Sequence, residues 1–233
     1  SIAVRMMVDD STICLVNCHL AAGQNHIMHR NRDIETILYT PMLGSEDNAK
    51  YKGRGVFVNG GDGTMILDNE FCFFAGDMNY RINLHRSTAI SMIVDGDLSR
   101  LLESDQLLTQ LKRNPGHRLH AFHEPVITFA PTYKFDVGTD NYDTSEKKRV
   151  PAWCDRIYYR SRNDDRVMPS CYISLAARVS DHKPVLGMYK LKVKTIDSGQ
   201  RNDAYQRSLD RWKQHLTTVI EELKNNYLIS IHA

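Results

Sequence analysis

Four short stretches of this sequence set titratable or hydrogen-bonding side chains against apolar runs: Asn17 and His19 in "VNCHL", Asp77 and Asn79 in "GDMN", Asp155 and Arg156 in "CDRIYY", and Asp181 and His182 in "SDH". Each alone has an ordinary explanation, because Gly, Asn, Asp and Ser make turns and caps wherever the backbone must bend. Together they contain what hydrolysis of an anionic ester requires. One carboxylate takes a proton from water, an amide aligns that water, and a second carboxylate orients a histidine ring that faces the charge being formed.

The elements that must position these groups are legible in the apolar pattern. "STICLVNCHL" is apolar on both alternating faces and reads as a covered strand ending at Asn17 and His19. "FCFFAGDMN" repeats that design and delivers Asp77 and Asn79. "NRDIETILYT" spaces Ile34, Ile37 and Leu38 as a helix does, and residues 44–64, rich in Gly, Asn and Asp, read as a surface loop. Between Ser87 and Leu111 the spacing is helical with a break at "DGD", which predicts two short helices. "PVITFAPTY" and "CDRIYY" read as strands, and in "SDHKPVLGMYKLKV" apolar Val185, Tyr189, Leu191 and Val193 alternate with lysines, as in a half-exposed strand. Leu209, Trp212, Leu216, Val219, Ile220, Leu223 and Tyr227 form the stripe of a final amphipathic helix, expected to pack on the domain.

The bulk numbers bound the possibilities. With 233 residues, 42% apolar and 25% charged, the chain suits one large globular domain with a full core. A net charge of +2 gives no bulk attraction for nucleic acid, so anion selectivity must come from local Lys and Arg. No stretch has the length of a membrane span or the order of a signal peptide, and the expected setting is intracellular. The five cysteines read as reduced core residues. Cys14 and Cys18, four apart on a strand, would lie roughly 13 Å from each other, beyond bonding reach.

The motifs "VNCHLAAGQ", "GDMNYR", "PAWCDRI" and "SDHKPV" resemble those of the inositol polyphosphate 5-phosphatases, within the exonuclease-endonuclease-phosphatase superfamily. "VITFAPTYKFDVGTDNYDTSEKKRVPAWCDR" is similar to the synaptojanin type of that family, and the resemblance runs from Ser1 to about Val193. It implies an α/β fold of four layers, two mixed sheets between helices as in DNase I-like proteins, and leaves outside it residues 194–233, the amphipathic helix expected to pack on the domain. It further implies Mg²⁺-assisted removal of the 5-phosphate from phosphoinositides such as PI(4,5)P₂ or from soluble inositol polyphosphates, with Ca²⁺ or Mn²⁺ as substitutes in crystals. An endonuclease of the same superfamily, or a non-catalytic fragment that binds phosphoinositides, is the alternative.

The roles come with the resemblance. Asp77 would activate the attacking water with Asn79 beside it, His182 would touch a phosphoryl oxygen with Asp155 holding its other nitrogen, and His19 would be a further phosphate contact. Tyr133, Lys134, Lys147 and Arg149 would hold the 4-phosphate, and Tyr80 and Arg81 would face the substrate, with packing in the interior as the equal alternative for Tyr80. Asp181 would lie near the metal or the nucleophilic water. The family's asparagine and its main metal-binding glutamate would precede Ser1 and reach the site on another piece of chain. Ile27 and Met28 would touch lipid. The expected setting is a monomeric domain of a larger protein, cytoplasmic and peripheral to membranes, with no nucleic-acid partner.

Overall fold

A hairpin opens the chain. Strands β1 (Ile2–Val8) and β2 (Ser11–His19) pair antiparallel from Ile2↔Asn17 to Val8↔Ser11. They turn through Asp9 and Asp10, and Asp9 takes the left-handed φ of 51° that a short Asp side chain tolerates. The computed structural model describes residues 1–44 and 57–232. The loop expected over 44–64 falls largely on 45–56, outside the described residues, and a 3-10 turn, Val58–Gly60, lies in its last part.

From β2 the chain crosses through helix α1 (Ile27–Tyr39) to β3 (Phe71–Asp77), which lies parallel to β2, and β4 (Asp155–Ser161) pairs antiparallel with β3. The four-stranded sheet has the order β1-β2-β3-β4. Strand side chains alternate between faces, so Cys14, Val16, Cys18, Cys72, Phe74 and Tyr158 share one face. They pack with Ile34 and Leu38 of α1 and with Leu107, Leu119 and Phe122. The other face carries Ile13, Phe71, Phe73 and Tyr159, which pack on Val167, Tyr189 and Leu191. Those residues belong to the second sheet, the antiparallel pair β5 (Val167–Ser174) and β6 (Val185–Leu191), and the two sheets form the sandwich the resemblance implied. Of the two sheets expected as mixed, the four-stranded one is mixed and the β5–β6 pair is antiparallel. All five cysteines are free.

Two expectations need correction, and two strands carried none. The region 87–111 holds three helices, α2 (Arg86–Val94), α3 (Leu98–Leu102) and α4 (Gln106–Arg113). Asp97 and Asp105 start the last two by accepting the amides of Arg100 and Leu108, so each aspartate opens a new helix. The stretch "PVITFAPTY" is no strand: only Tyr133 makes bridges, to Ala152 and His182, and Pro125 and Pro131 have no N–H for a ladder. Strands β1 and β5 were not anticipated, and β5 is disguised by Pro169 and a register shift beside it.

The chain divides into two units, Ser1–Val193 and Lys194–Ala233. The second contains helix α5 (Ser198–His232), with Trp212, Leu223 and Tyr227 exposed along its stripe. No described helix is long and apolar enough to cross a membrane.

Candidate active site

Sheet register alone brings three of the four stretches together. His19 ends β2 opposite Asp77 at the end of β3, and Asp77 lies opposite Asp155 at the start of β4. The pleat places Asp77 on the same face as Phe71 and Phe73, toward the second sheet, and sends Arg156 to the opposite face. There Arg156 is fully buried and gives two hydrogen bonds of 2.6 Å to Glu124 and one of 3.2 Å to Asp105, so the second half of the Asp-Arg pair serves the core and not the site. Gly76 allows the close approach of β2 and β3: a Cβ there would lie 2.0 Å from the Cys18 carbonyl oxygen, and its φ is +134°.

The fourth stretch reaches the cluster through the irregular segment before β4. Lys183 N–H donates to the Thr132 carbonyl (2.9 Å), and Phe135 N–H donates to the Asp181 carbonyl (2.9 Å). These bonds carry His182 to Asp155, where Nδ1 lies 2.9 Å from Oδ2. Buried Thr132 donates its hydroxyl to the same oxygen at 2.7 Å. The ring's other nitrogen, Nε2, faces Asp77 Oδ2 at 4.0 Å, and Nε2 of exposed His19 lies 3.5 Å from that oxygen. Asp77 Oδ1 accepts the backbone N–H of Asn79 at 2.9 Å, in a tight loop that gives Asn79 a φ of 54°. Asn79 sends its side-chain N–H to the Leu20 carbonyl.

Electrostatics separates the two sides of this cluster. Burial, and after it the like charge of Asp155, raises the Asp77 carboxyl above the ordinary carboxylate range against the pull of His182. Burial opposes charge on the His182 ring, but the hydrogen bond to Asp155 and the charges of Asp155, Asp77 and Asp181 outweigh it and raise the ring above the usual histidine value. The arrangement therefore sets a base of raised pKa against an imidazole that holds its proton more firmly than a free one.

Beside it lies a cavity of about 480 Å³ lined by Tyr133, Lys134, Asp143, Ser145, Glu146, Lys147 and Arg149. Lys147 and Arg149 are exposed. The pocket is shaped by Asp143, which the sequence did not single out. It is buried, and its carboxylate accepts the amides of Ser145 (3.1 Å) and Arg149 (2.8 Å), so the loop is wound around one side chain. The Asp-x-Ser spacing is the signal that marks such a turn. Thr132 carried no comparable signal.

Two positions, Tyr80 and Arg81, depart from their expected surroundings. Tyr80 is fully buried in the main core cluster, its hydroxyl donating to Asn31 Oδ1 at 2.6 Å, and it offers no surface to a substrate. Arg81 is 8% exposed and turns its guanidinium onto Asn79. Asp181, expected near the metal or the nucleophilic water, accepts Lys134 Nζ at 2.7 Å, and that bond holds its carboxyl below the ordinary value. Among the described residues no three His, Cys, Asp or Glu side chains are grouped to hold a metal ion.

Comparisons with known proteins show the family of the chain. The pattern described as Endonuclease/Exonuclease/phosphatase family 2 matches residues 1–188. The chain belongs to that family. Within endonuclease/exonuclease/phosphatase family 2, it is 44% identical over 99% of its length to a Schizosaccharomyces pombe protein named "Probable inositol polyphosphate 5-phosphatase", and covers 19% of that protein. It is 37% identical to the synaptojanin of Caenorhabditis elegans over 86% of its length, covering 16% of that protein. Among solved structures it is similar to the inositol polyphosphate 5-phosphatase domain of SPsynaptojanin, crystallised with inositol (1,4)-bisphosphate and calcium, at 34% identity and a TM-score of 0.75. That match covers 93% of this chain and 58% of the domain. Cimex nitrophorin shares the fold alone, at 22% identity and a TM-score of 0.57. The chain thus spans less than a fifth of the curated relatives and under two thirds of the solved domain.

Proposed function

We propose that this chain carries the catalytic side chains of an inositol polyphosphate 5-phosphatase acting on phosphoinositides such as PI(4,5)P₂ and on soluble inositol polyphosphates. The observation that carries the reading is the meeting of Asp77, Asp155 and His182 at one strand edge, next to a pocket with three cations. The names of the relatives and the inositol bisphosphate in the similar solved domain support it.

In this reading Asp77 takes the proton of the attacking water, which its raised pKa suits. Charged His182, oriented by Asp155 and Thr132, donates a hydrogen bond from Nε2 to a phosphoryl oxygen and holds the group in line. The leaving inositol oxygen, on which negative charge grows as its bond to phosphorus breaks, takes a proton from solvent water. His19 borders the same centre, and Lys134, Lys147 and Arg149 hold a neighbouring phosphate. Hydrolysis then needs Asp77 deprotonated and His182 protonated. It falls as pH drops through the raised Asp77 value, and falls again as pH rises through the raised His182 value.

Mg²⁺ dependence belongs to the same proposal, supported by the calcium in the solved relative. The described residues do not fit as a complete metal site, because Asp181 is engaged by Lys134 and no three-ligand group is present. No step above is assigned to the ion. Contact with a lipid surface through Met28, 68% exposed on the loop side of α1, and a cytoplasmic, membrane-peripheral setting complete the proposal.

Phosphate release from PI(4,5)P₂ and from soluble inositol trisphosphate, with and without added Mg²⁺, tests it. Release from either, abolished by Asp77→Asn, is the expected outcome. Cleavage of DNA with no phosphate release would overturn it.

A further inference from the structure

The residue beside Asp77 is held with unusual completeness. Asn79 is 2% exposed, and both ends of its side-chain amide are engaged: Oδ1 accepts a guanidinium N–H of Arg81, and Nδ2 donates to the Leu20 carbonyl at 3.1 Å. Arg81 also donates Nε–H to the Asn79 backbone carbonyl at 3.0 Å, so one guanidinium grips one residue at two points. Arginine can only donate and a carbonyl can only accept, so these partners permit a single orientation of the amide and leave its second Nδ2 hydrogen for the site.

The same guanidinium lies over the Tyr133 ring, 4.3 Å from its centroid, and that ring packs on His182 at 4.8 Å. Arg81 thus touches the support of both reacting sides, Asn79 next to Asp77 and Tyr133 next to His182. Its own position is fixed from behind by Gln106, 1% exposed at the start of α4. Gln106 Oε1 accepts the Arg81 backbone N–H (2.9 Å) and an Arg30 guanidinium N–H (2.7 Å), and its Nε2 donates to the Gln24 carbonyl (2.9 Å) and to Asn83 Oδ1 (2.8 Å). Its backbone N–H donates to the Arg81 carbonyl at 2.8 Å. Every hydrogen-bonding position of the Gln106 side chain is used, which is how a buried polar group fixes one arrangement.

We propose that Arg81, backed by Gln106, is a positioning residue: it sets the Asn79 amide so that N–H faces the phosphoryl centre and braces Tyr133 under His182, without touching the headgroup. This rests on the phosphatase reading above and replaces the expectation that Arg81 faces substrate. A residue that orients a catalytic neighbour changes turnover, whereas one that holds substrate changes KM.

The test is a double-mutant cycle in the full chain, with phosphate release from soluble inositol trisphosphate as the assay. Arg81→Met, which keeps an unbranched side chain and removes the guanidinium, is expected to lower kcat roughly 10- to 100-fold with KM within about 2-fold. Arg81→Lys should recover part of the loss, and Arg81→Met should cost clearly less once Asn79→Ala is present, because only the brace on Tyr133 is then left to lose. A raised KM at unchanged kcat, or losses that multiply in the double variant, would overturn the assignment. NMR of the Asn79 side-chain amide, read without substrate, keeps the clamp testable if no phosphate is released. The amide protons should exchange slowly in the parent and several-fold faster in Arg81→Met. Equal exchange in two variants with the same circular dichroism would contradict the clamp even where the phosphatase reading itself has failed.

Discussion

The strand-edge cluster and the basic pocket lie side by side and are built in opposite ways. His19, Asp77 and Asp155 are neighbours because three strands are in register, and their positions are set by backbone hydrogen bonds over a closed core. Lys134, Lys147 and Arg149 hang on irregular backbone wound around Asp143, and the last two are exposed. Reacting groups gain from fixed geometry, since small displacements cost turnover. Cations that gather a phosphate tolerate more freedom, because charge attracts over a longer range than a proton transfer spans. The difference implies that damage at the strand edge appears in kcat and damage in the pocket appears in KM.

Substitutions sharpen or break that division. The largest effect is expected for Asp77→Asn, which keeps shape and removes the base: kcat should fall roughly 10²- to 10⁴-fold with little change in KM, measured by steady-state phosphate release. Thr132→Val should follow with a loss of about 10-fold or more in kcat, because it removes one of two donors that orient Asp155. A Thr132→Val variant that raised KM instead would erase the distinction between the regions. Arg149→Ala and Lys147→Ala should each raise KM about 10-fold for substrates with a phosphate next to the cleaved one, leave kcat near the parent value and lessen the salt dependence. Substrates without that neighbouring phosphate should be unaffected. The smallest effect is expected for Met28→Asp, which should weaken sedimentation with anionic vesicles roughly 3-fold and leave hydrolysis of a soluble headgroup unchanged.

The same division explains what could be read from the amino-acid order. Strand ends announce themselves, because an apolar run that stops at "HL" or "GDMN" marks both the element and the polar edge it delivers. Each polar end is legible by itself, but the register that brings His19, Asp77 and Asp155 together is a feature of the sheet, and their grouping was implied by the resemblance and not by the pattern. Irregular backbone gives no such period. The run from Pro125 to Tyr133 has strand composition and no ladder, so neither the buried hydroxyl of Thr132 nor the path that carries His182 back to Asp155 could be anticipated. Tyr80 and Arg81 follow an active-site motif and yet turn inward, one to the core and one to Asn79, since adjacency in sequence does not fix which way a side chain leaves a turn. The lysine partner of Asp181 lies 47 residues away, beyond any local pattern.

The central claim is that Asp155 holds His182 charged in front of Asp77. An NMR titration of the His182 ring in the parent and in Asp155→Asn tests it without reference to substrate or metal. The expected result is a parent ring that titrates above the usual histidine value and a variant ring that titrates at lower pH, because the carboxylate charge that offsets burial is gone and only a neutral amide oxygen is left to accept the ring N–H. A ring with the same midpoint in both proteins would contradict the account.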